Sequence, residues 1–193
     1  MIALGAITLL LTIFAIVLKP LGNPLYWVVR GTAMVGYVAT FLAILSSIYM
    51  RELYRLLGRP FVWGHHVLAV SGLILLTLHP AALAIETANA AVFVPRFDSW
   101  EVFFQLGGRP ALYLMAIASL GALLRKSWRK GWRIIHMLNY VAFLLGTIHA
   151  IWIGTDLGQP FLRLIPIGMA IAIVAVFVHK RWGQKRTRAR KTS

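Results

Sequence analysis

Six long apolar runs constrain the fold of this chain more than any other feature of its sequence. They cover approximately residues 2–18, 27–50, 61–85, 108–124, 133–153 and 161–179 of the 193. A helix needs about 20 mostly apolar residues to cross a bilayer, and each run is close to or above that length. We therefore predict an all-α integral membrane bundle of six transmembrane helices. Residues 1–183 would form one membrane domain, and residues 184–193 a basic tail that we expect to be disordered.

The first run and the absence of cysteine set further limits. No basic segment precedes the run and no small-residue cleavage site follows it, so we interpret it as a retained helix and not as a signal peptide. The chain contains no cysteine, which excludes disulfides, thiolate metal sites and thiol catalysis. Because the runs leave no room for a soluble domain, any flavin or nicotinamide chemistry must come from another protein.

The positive charge of the chain is distributed unevenly between its connections. Of 20 Lys and Arg, 15 lie after the second run, after the fourth run or in the tail, and the other connections hold five. Cytoplasmic loops are enriched in Lys and Arg, so both termini are predicted to be cytoplasmic in a multi-pass protein of the cell membrane. The net charge of +15 then reflects topology and contact with lipid headgroups, and we expect no nucleic-acid partner.

Four of the six histidines form matched pairs on the third and fifth runs. His65 and His79 are 14 residues apart, and His136 and His149 are 13 apart. Fourteen residues rise about 21 Å on a helix. Both runs start on the inner side, so His65 shares a level with His136, and His79 with His149. An ionisable ring inside a bilayer is costly and indicates function. Two pairs at two levels suit two stacked haems with two axial imidazoles each; hydrogen bonds between helices are the alternative.

The angular phase of a helix distinguishes between the candidate ligands. At about 100° per residue, a step of 14 returns to within about 40° of its starting direction, whereas the step from His66 to His79 misses by about 140°. This favours His65 over His66 and leaves His66 as the alternative. The 13-residue step between His136 and His149 fails the same test for a straight helix. It predicts a π-bulge or a bend between them, near Gly146.

Three arginines are candidates for binding the propionates of a haem. Arg30 and Arg109 flank the outer face, and Arg133 precedes His136 at the inner face. Arginine makes charge-assisted and often bidentate contacts with carboxylates. Simple anchoring at the membrane surface explains each of them equally well.

The stretches His65–His79 and Trp132–His149, with a Trp-x-x-x-His entry to the latter, resemble the ferric reductase-like transmembrane domain. That superfamily includes ferric reductases, NADPH oxidases and the haem-binding membrane subunit of the periplasmic methionine sulfoxide reductase system. The resemblance covers roughly residues 30–155. It implies that His65 and His136 bind the inner haem iron and that His79 and His149 bind the outer one. The fused flavin and nicotinamide domain of the larger members is missing from these residues.

The expected function is transmembrane electron transfer through two b-type haems, with a flavin or a quinone at the cytoplasmic face as an open addition. Bis-histidine ligation leaves no free position on the iron, which favours electron transfer over oxygen binding. The expected partners are a flavin reductase or quinol donor inside, and a reductase or small acceptor outside. One alternative is a subunit that donates specifically to a periplasmic methionine sulfoxide reductase. Another is a structural or assembly subunit without haem.

Overall fold

The computed structural model describes residues 23–129 and 131–189, and this part of the chain is helical with no strand. The all-α class is therefore confirmed, while the predicted run at 2–18 lies outside the described residues. The helices are α1 (Pro24–Ile48), α2 (Met50–Leu57), α3 (Arg59–Glu86), α4 (Trp100–Gln105), α5 (Gly108–Leu123), α6 (Trp132–His136), α7 (Leu138–Ile153) and α8 (Pro160–Ala189). Short 3₁₀ turns cover Ala90–Phe93, Leu124–Lys126 and Thr155–Leu157.

Four helical segments are long and apolar enough to cross a membrane. They are Pro24–Ile48, Pro60–Glu86, Trp132–Ile153 and Pro160–Lys180, which match the second, third, fifth and sixth predicted runs. The fourth run forms α5, which has only 16 residues. At 1.5 Å per residue α5 rises about 24 Å, less than the roughly 30 Å of a hydrocarbon core. The described residues thus contain four helical segments of spanning length, one of them made of α6 and α7 together, and the shorter apolar helix α5.

The ends of the first helices follow from local sequence signals. The Asn23 side chain accepts a hydrogen bond from the Leu25 N–H at 2.9 Å and caps α1, whose first residue is Pro24. Gly58, at φ 69°, separates α2 from α3, because a residue without a Cβ adopts this left-handed backbone at little cost. At the other end of the chain α8 continues to Ala189. The expectation of a disordered tail is therefore wrong for residues 184–189.

The outward faces of the long helices are apolar, as expected for contact with lipid. On α3 the exposed apolar residues of one stripe are three, four or seven positions apart, which places them on one face of the helix. This stripe comprises Val67, Val70, Ile74, Leu78 and Ile85, and α8 carries a similar one with Ile167, Ile171, Val174 and Val178. Exposed apolar area on this scale is rare on soluble monomers.

The bundle is built from two helix pairs, α1 with α3 and α5 with α7, and α8 packs against α1 and α7. In the first pair Gly72 approaches α1 so closely that a Cβ there would lie 2.7 Å from Thr40 Oγ1. The largest buried cluster joins α1, α7 and α8 through Phe41, Phe143 and Ile173. The two pairs are thereby held together while space remains between α3 and α7.

The irregularity predicted between His136 and His149 exists, but it lies at Met137 and not near Gly146. The Met137 N–H donates to both Arg133 O and Ile134 O, at 3.1 and 3.2 Å, and Met137 O accepts from the Tyr140 N–H. Two of these bonds, from Met137 to Ile134 and from Tyr140 to Met137, span only three residues and wind the chain more tightly than an α-helix does. Each residue wound this way turns about 20° further, which reduces the phase error of the 13-residue step.

Candidate functional site

A cavity of about 410 Å³ lies between the helix pairs, at the end of the bundle where α1 begins. Its walls come from α1, α3, α5, α7 and α8, and most of the lining side chains are apolar. The charged and imidazole side chains that line it are His79, His149, Arg30, Arg109 and Asp156. We refer to it as the His79–His149 cavity. Its size and its few polar groups are typical of a site for an organic ligand or cofactor.

The positions of these residues along their helices establish the direction of each helix. Arg30 is near the start of α1 and Arg109 near the start of α5, whereas His79 is near the end of α3 and His149 near the end of α7. Because all four line one cavity, α3 and α7 run parallel to each other. The prediction that His79 pairs with His149 assumed that these two helices are parallel, and the structure agrees with that assumption.

In both cavity histidines Nδ1 is bonded to a backbone carbonyl. His79 Nδ1 lies 2.9 Å from Val29 O on α1, and His149 Nδ1 lies 2.6 Å from Gln105 O at the end of α4. A carbonyl oxygen only accepts, so Nδ1 must carry the hydrogen in each ring. Nε2 then keeps its lone pair. This is the tautomer that a metal-binding imidazole needs, and a carbonyl partner of this kind is the usual support for such a ligand.

The other histidine pair, His65 and His136, is held in the same way at the opposite end of the bundle. His65 Nδ1 lies 3.1 Å from Ala43 O and 3.0 Å from Ser46 Oγ. His136 Nδ1 lies 3.2 Å from Ala118 O and, at the longer distance of 3.4 Å, near Asn139 Nδ2. The shorter contact of His136 is the carbonyl, which again places the hydrogen on Nδ1 and the lone pair on Nε2.

The four histidines thus form two matched pairs across the two halves of the bundle. The carbonyls that hold His65 and His79 belong to α1, and those that hold His136 and His149 belong to α5 and to the end of α4. His65 and His136 are close enough to interact electrostatically, as are His79 and His149. His66, by contrast, is exposed beside His65. The phase argument that favoured His65 agrees with these positions.

Two glycines in the cavity wall differ in what surrounds them. A Cβ on Gly108 would lie 2.8 Å from His149 Cδ2 and 2.9 Å from His149 Nε2, so any larger residue there would displace this ring. A Cβ on Gly146 would meet no atom within 4 Å, although Gly146 also lines the cavity. Because Gly108 has no side chain, the His149 ring can occupy its position beside α5. Because Gly146 has no side chain, the cavity keeps open space beside α7.

The three predicted arginines have different surroundings. Arg30 is 4% exposed and forms an ion pair with Asp156, which is also buried. Arg109 Nη1 donates to Val94 O at 2.8 Å and lines the cavity. Arg133 is exposed three residues before His136, with its guanidinium 5.6 Å from the centre of the Trp132 ring. The structure thus gathers Arg30 and Arg109 at the His79–His149 cavity, and their contact with propionates stays a prediction.

Sequence reasoning missed three residues of this cavity. The sequence alone suggested no role for Asp156 or Gly108. Pro80 follows His79 directly and lines the cavity, and a proline inside a helix removes one backbone N–H. The His-Pro dipeptide was a visible signal of an unusual helix at this point, whereas nothing local marked Asp156 as the partner of Arg30.

In the described part of the chain no three His, Cys, Asp or Glu side chains come together to hold a bare metal ion. Each level instead offers two imidazoles. A haem iron needs only such a pair, because the porphyrin supplies the other four nitrogen ligands. The donor set, the tautomers and the apolar cavity therefore fit a haem at the His79–His149 level.

The comparisons with known proteins give one match. The family described as Domain of unknown function (DUF8596) matches residues 25–156, which is more than half of the chain. The chain belongs to this family. The matched region begins in α1, ends at Asp156 and contains all four paired histidines. No curated protein and no solved structure matches the chain.

Proposed function

We propose that this protein carries electrons across the cell membrane through two b-type haems, one held by His65 and His136 and the other by His79 and His149. The observation that carries the proposal is the state of the imidazoles: all four bond a carbonyl through Nδ1. When bound, a haem supplies a one-electron couple at its iron. The chain orients the Nε2 lone pairs and surrounds the cofactor with apolar side chains.

The proposal includes six spans with both termini in the cytoplasm. Although α5 is short, the 3₁₀ turn Leu124–Lys126 continues it and adds about 2 Å per residue, which brings the pair to about 30 Å. The contacts of this segment with both histidine pairs also support crossing. Arg109 lies at the His79–His149 cavity, and Ala118 O holds His136 at the other pair. The asymmetry of Lys and Arg places the latter end inside.

Haem content tests the proposal directly. The protein, purified from membranes of cells supplied with iron and a haem precursor, should give about two haems per chain in a pyridine haemochrome assay. His149→Ala and His136→Ala should each remove one haem, because one axial ligand is lost. His66→Ala and His179→Ala change histidines outside the two pairs, so they serve as controls and should leave the haem content unchanged. A wild-type protein without haem would overturn the proposal.

The topology can be tested separately, because the chain has no cysteine of its own. Ser99→Cys, before α4, should react with an impermeant maleimide from outside the cell. Ser127→Cys, in the connection before α6, should react only after the membrane is permeabilised. A tag at either terminus should behave like Ser127→Cys. The opposite pattern of labelling would refute the assignment of sides.

The redox partners follow from the same reasoning. In this proposal a flavin reductase or a quinol supplies electrons inside, and a separate reductase or small acceptor takes them outside. Donation to a methionine sulfoxide reductase remains one version of this proposal. It predicts that the reduced protein is reoxidised by that enzyme and its substrate but not by the enzyme alone.

A further inference from the structure

A buried ion pair lies in the wall of the His79–His149 cavity. Arg30, on α1, is 4% exposed, and Asp156, in the turn Thr155–Leu157, is 9% exposed. Both side chains line the cavity together with the two histidines. The two residues are 126 positions apart, so the pair joins the start of α1 to the connection between α7 and α8.

A buried ion pair is an energetically unfavourable means of holding two segments of a chain together. Removing two charges from water costs more than their attraction commonly returns, and apolar residues of the same size often stabilise a protein as well or better. Arg30 Nε has no hydrogen-bond partner among the described residues, so the guanidinium is not saturated by Asp156. Stability alone therefore does not explain why two charges are placed at the edge of a cavity that is otherwise mostly apolar.

The position of the pair is fixed by the contacts around it. Tyr26 OH and Thr155 Oγ1 form a hydrogen bond of 2.9 Å between α1 and the turn. On the other side of the turn, Arg163 Nε donates to Leu157 O at 2.9 Å. The Arg30 guanidinium also lies 5.9 Å from the centre of the Tyr26 ring. Both charges are consequently held at a constant place relative to the cavity.

We propose that Arg30 and Asp156 are a matched pair of opposite charges whose balance maintains the redox potential at the His79–His149 site, so that loss of either charge alone shifts this potential. The inference rests on the function proposed above. A carboxylate favours the oxidised, more positive iron, whereas a guanidinium favours the reduced iron, and both effects are strong where water is excluded. As a pair the two charges nearly cancel. The cavity thus keeps one cation, Arg109, that no carboxylate of the described residues pairs with.

The test compares single and double charge removals in the haem-loaded full chain. Asp156→Asn should raise the midpoint potential of one haem and Arg30→Gln should lower it, measured by spectroelectrochemical titration. The double variant should return close to the wild-type value. The other haem, at the His65–His136 level, should be unaffected in all three. Arg163, on α8, is a cation that contacts the same turn but does not line the cavity, so Arg163→Gln should shift the potential less than Arg30→Gln.

Several outcomes would overturn the inference while leaving the proposed function intact. These are a shift in the same direction for both single variants, a double variant that keeps the full shift, or an effect of Arg163→Gln equal to that of Arg30→Gln. If the single variants lose haem, Asp156→Glu keeps the charge and moves it by one methylene. It should shift only one of the two potentials, and equal shifts of both would contradict the inference. A haem-free wild-type protein would instead refute the proposed function itself.

Discussion

Gly72 offers a quantitative test of how α1 and α3 are held together. A Cβ at this position would lie 2.7 Å from Thr40 Oγ1, 3.2 Å from the Thr40 backbone nitrogen and 3.4 Å from Gly36 O. The hydroxyl cannot simply rotate away, because it donates to Gly36 O at 2.8 Å inside the helix pair. Two of the three contacts are backbone atoms, so Gly72→Ala must push the helices apart by a few tenths of an ångström.

The expected magnitude follows from two opposing effects. Overpacking a well-packed interface costs about 1–3 kcal/mol. Replacing a glycine inside a helix by alanine gains roughly 0.5–1 kcal/mol. Gly64→Ala is a matched control on the same helix, because a Cβ there would meet no atom within 4 Å. The control should be slightly more stable than wild type, and Gly72→Ala should be less stable than the control by about 1–3 kcal/mol.

Reversible unfolding in mixed micelles, followed by far-ultraviolet circular dichroism as the fraction of denaturing detergent rises, measures this difference. Haem content should fall in Gly72→Ala and not in Gly64→Ala, since α1 supplies the carbonyls that orient His65 and His79. Equal stability of the two variants would refute the close approach of the helices at Gly72.

Two further predictions concern Gly146 in the cavity wall and the ion pair between Glu52 and Lys180. Gly146→Phe should preserve folding, because a side chain there enters open space. The new side chain should lower the haem content by about half, because it fills part of the cavity. A full complement of haem would contradict the placement of the cofactor in this cavity. The Lys180 ammonium donates a hydrogen bond to the Glu52 carboxylate and thereby lowers the pKa of that carboxyl group. The pair therefore stabilises the protein above the ordinary Glu pKa of about 4.3, and this stabilisation is lost as the pH falls through the lowered value. The difference in melting temperature between wild type and Glu52→Gln should therefore disappear in acid, and a difference independent of pH would argue against the pair.

The parts of the fold that follow local periodicity could be predicted from the sequence. The apolar runs predict α1, α3, α5 and α8 to within a few residues at most of their ends, because the burial and lipid exposure of a helix repeat with its turns. The preference for His65 over His66 came from the same periodicity, and the carbonyl contacts agree with it. The tail of α8 was misjudged because a charged sequence can extend a helix that is already formed.

Contacts between distant segments could not be predicted in this way. The helix is interrupted at Met137, directly after α6, and α6 packs tightly on α5, where a Cβ on Gly121 would lie 2.7 Å from Ile135 Cγ2. This contact between distant segments has no signal in the local sequence, which drew attention to Gly146 instead. The pairing of Arg30 with Asp156 was missed for the same reason, since neither residue carries a local signal of its partner.

The carbonyl contacts of the four imidazoles have a consequence for how a ligand would be acquired. The rings already have fixed tautomers and orientations, so the entropy of ordering them is lost during folding and not during binding. The ligand-bound and ligand-free forms should then have the same backbone conformation. A ligand would stabilise the protein by mass action and not by an induced rearrangement. Such a ligand would lie between the α1–α3 and α5–α7 pairs and so act as a removable crosslink between two preformed halves.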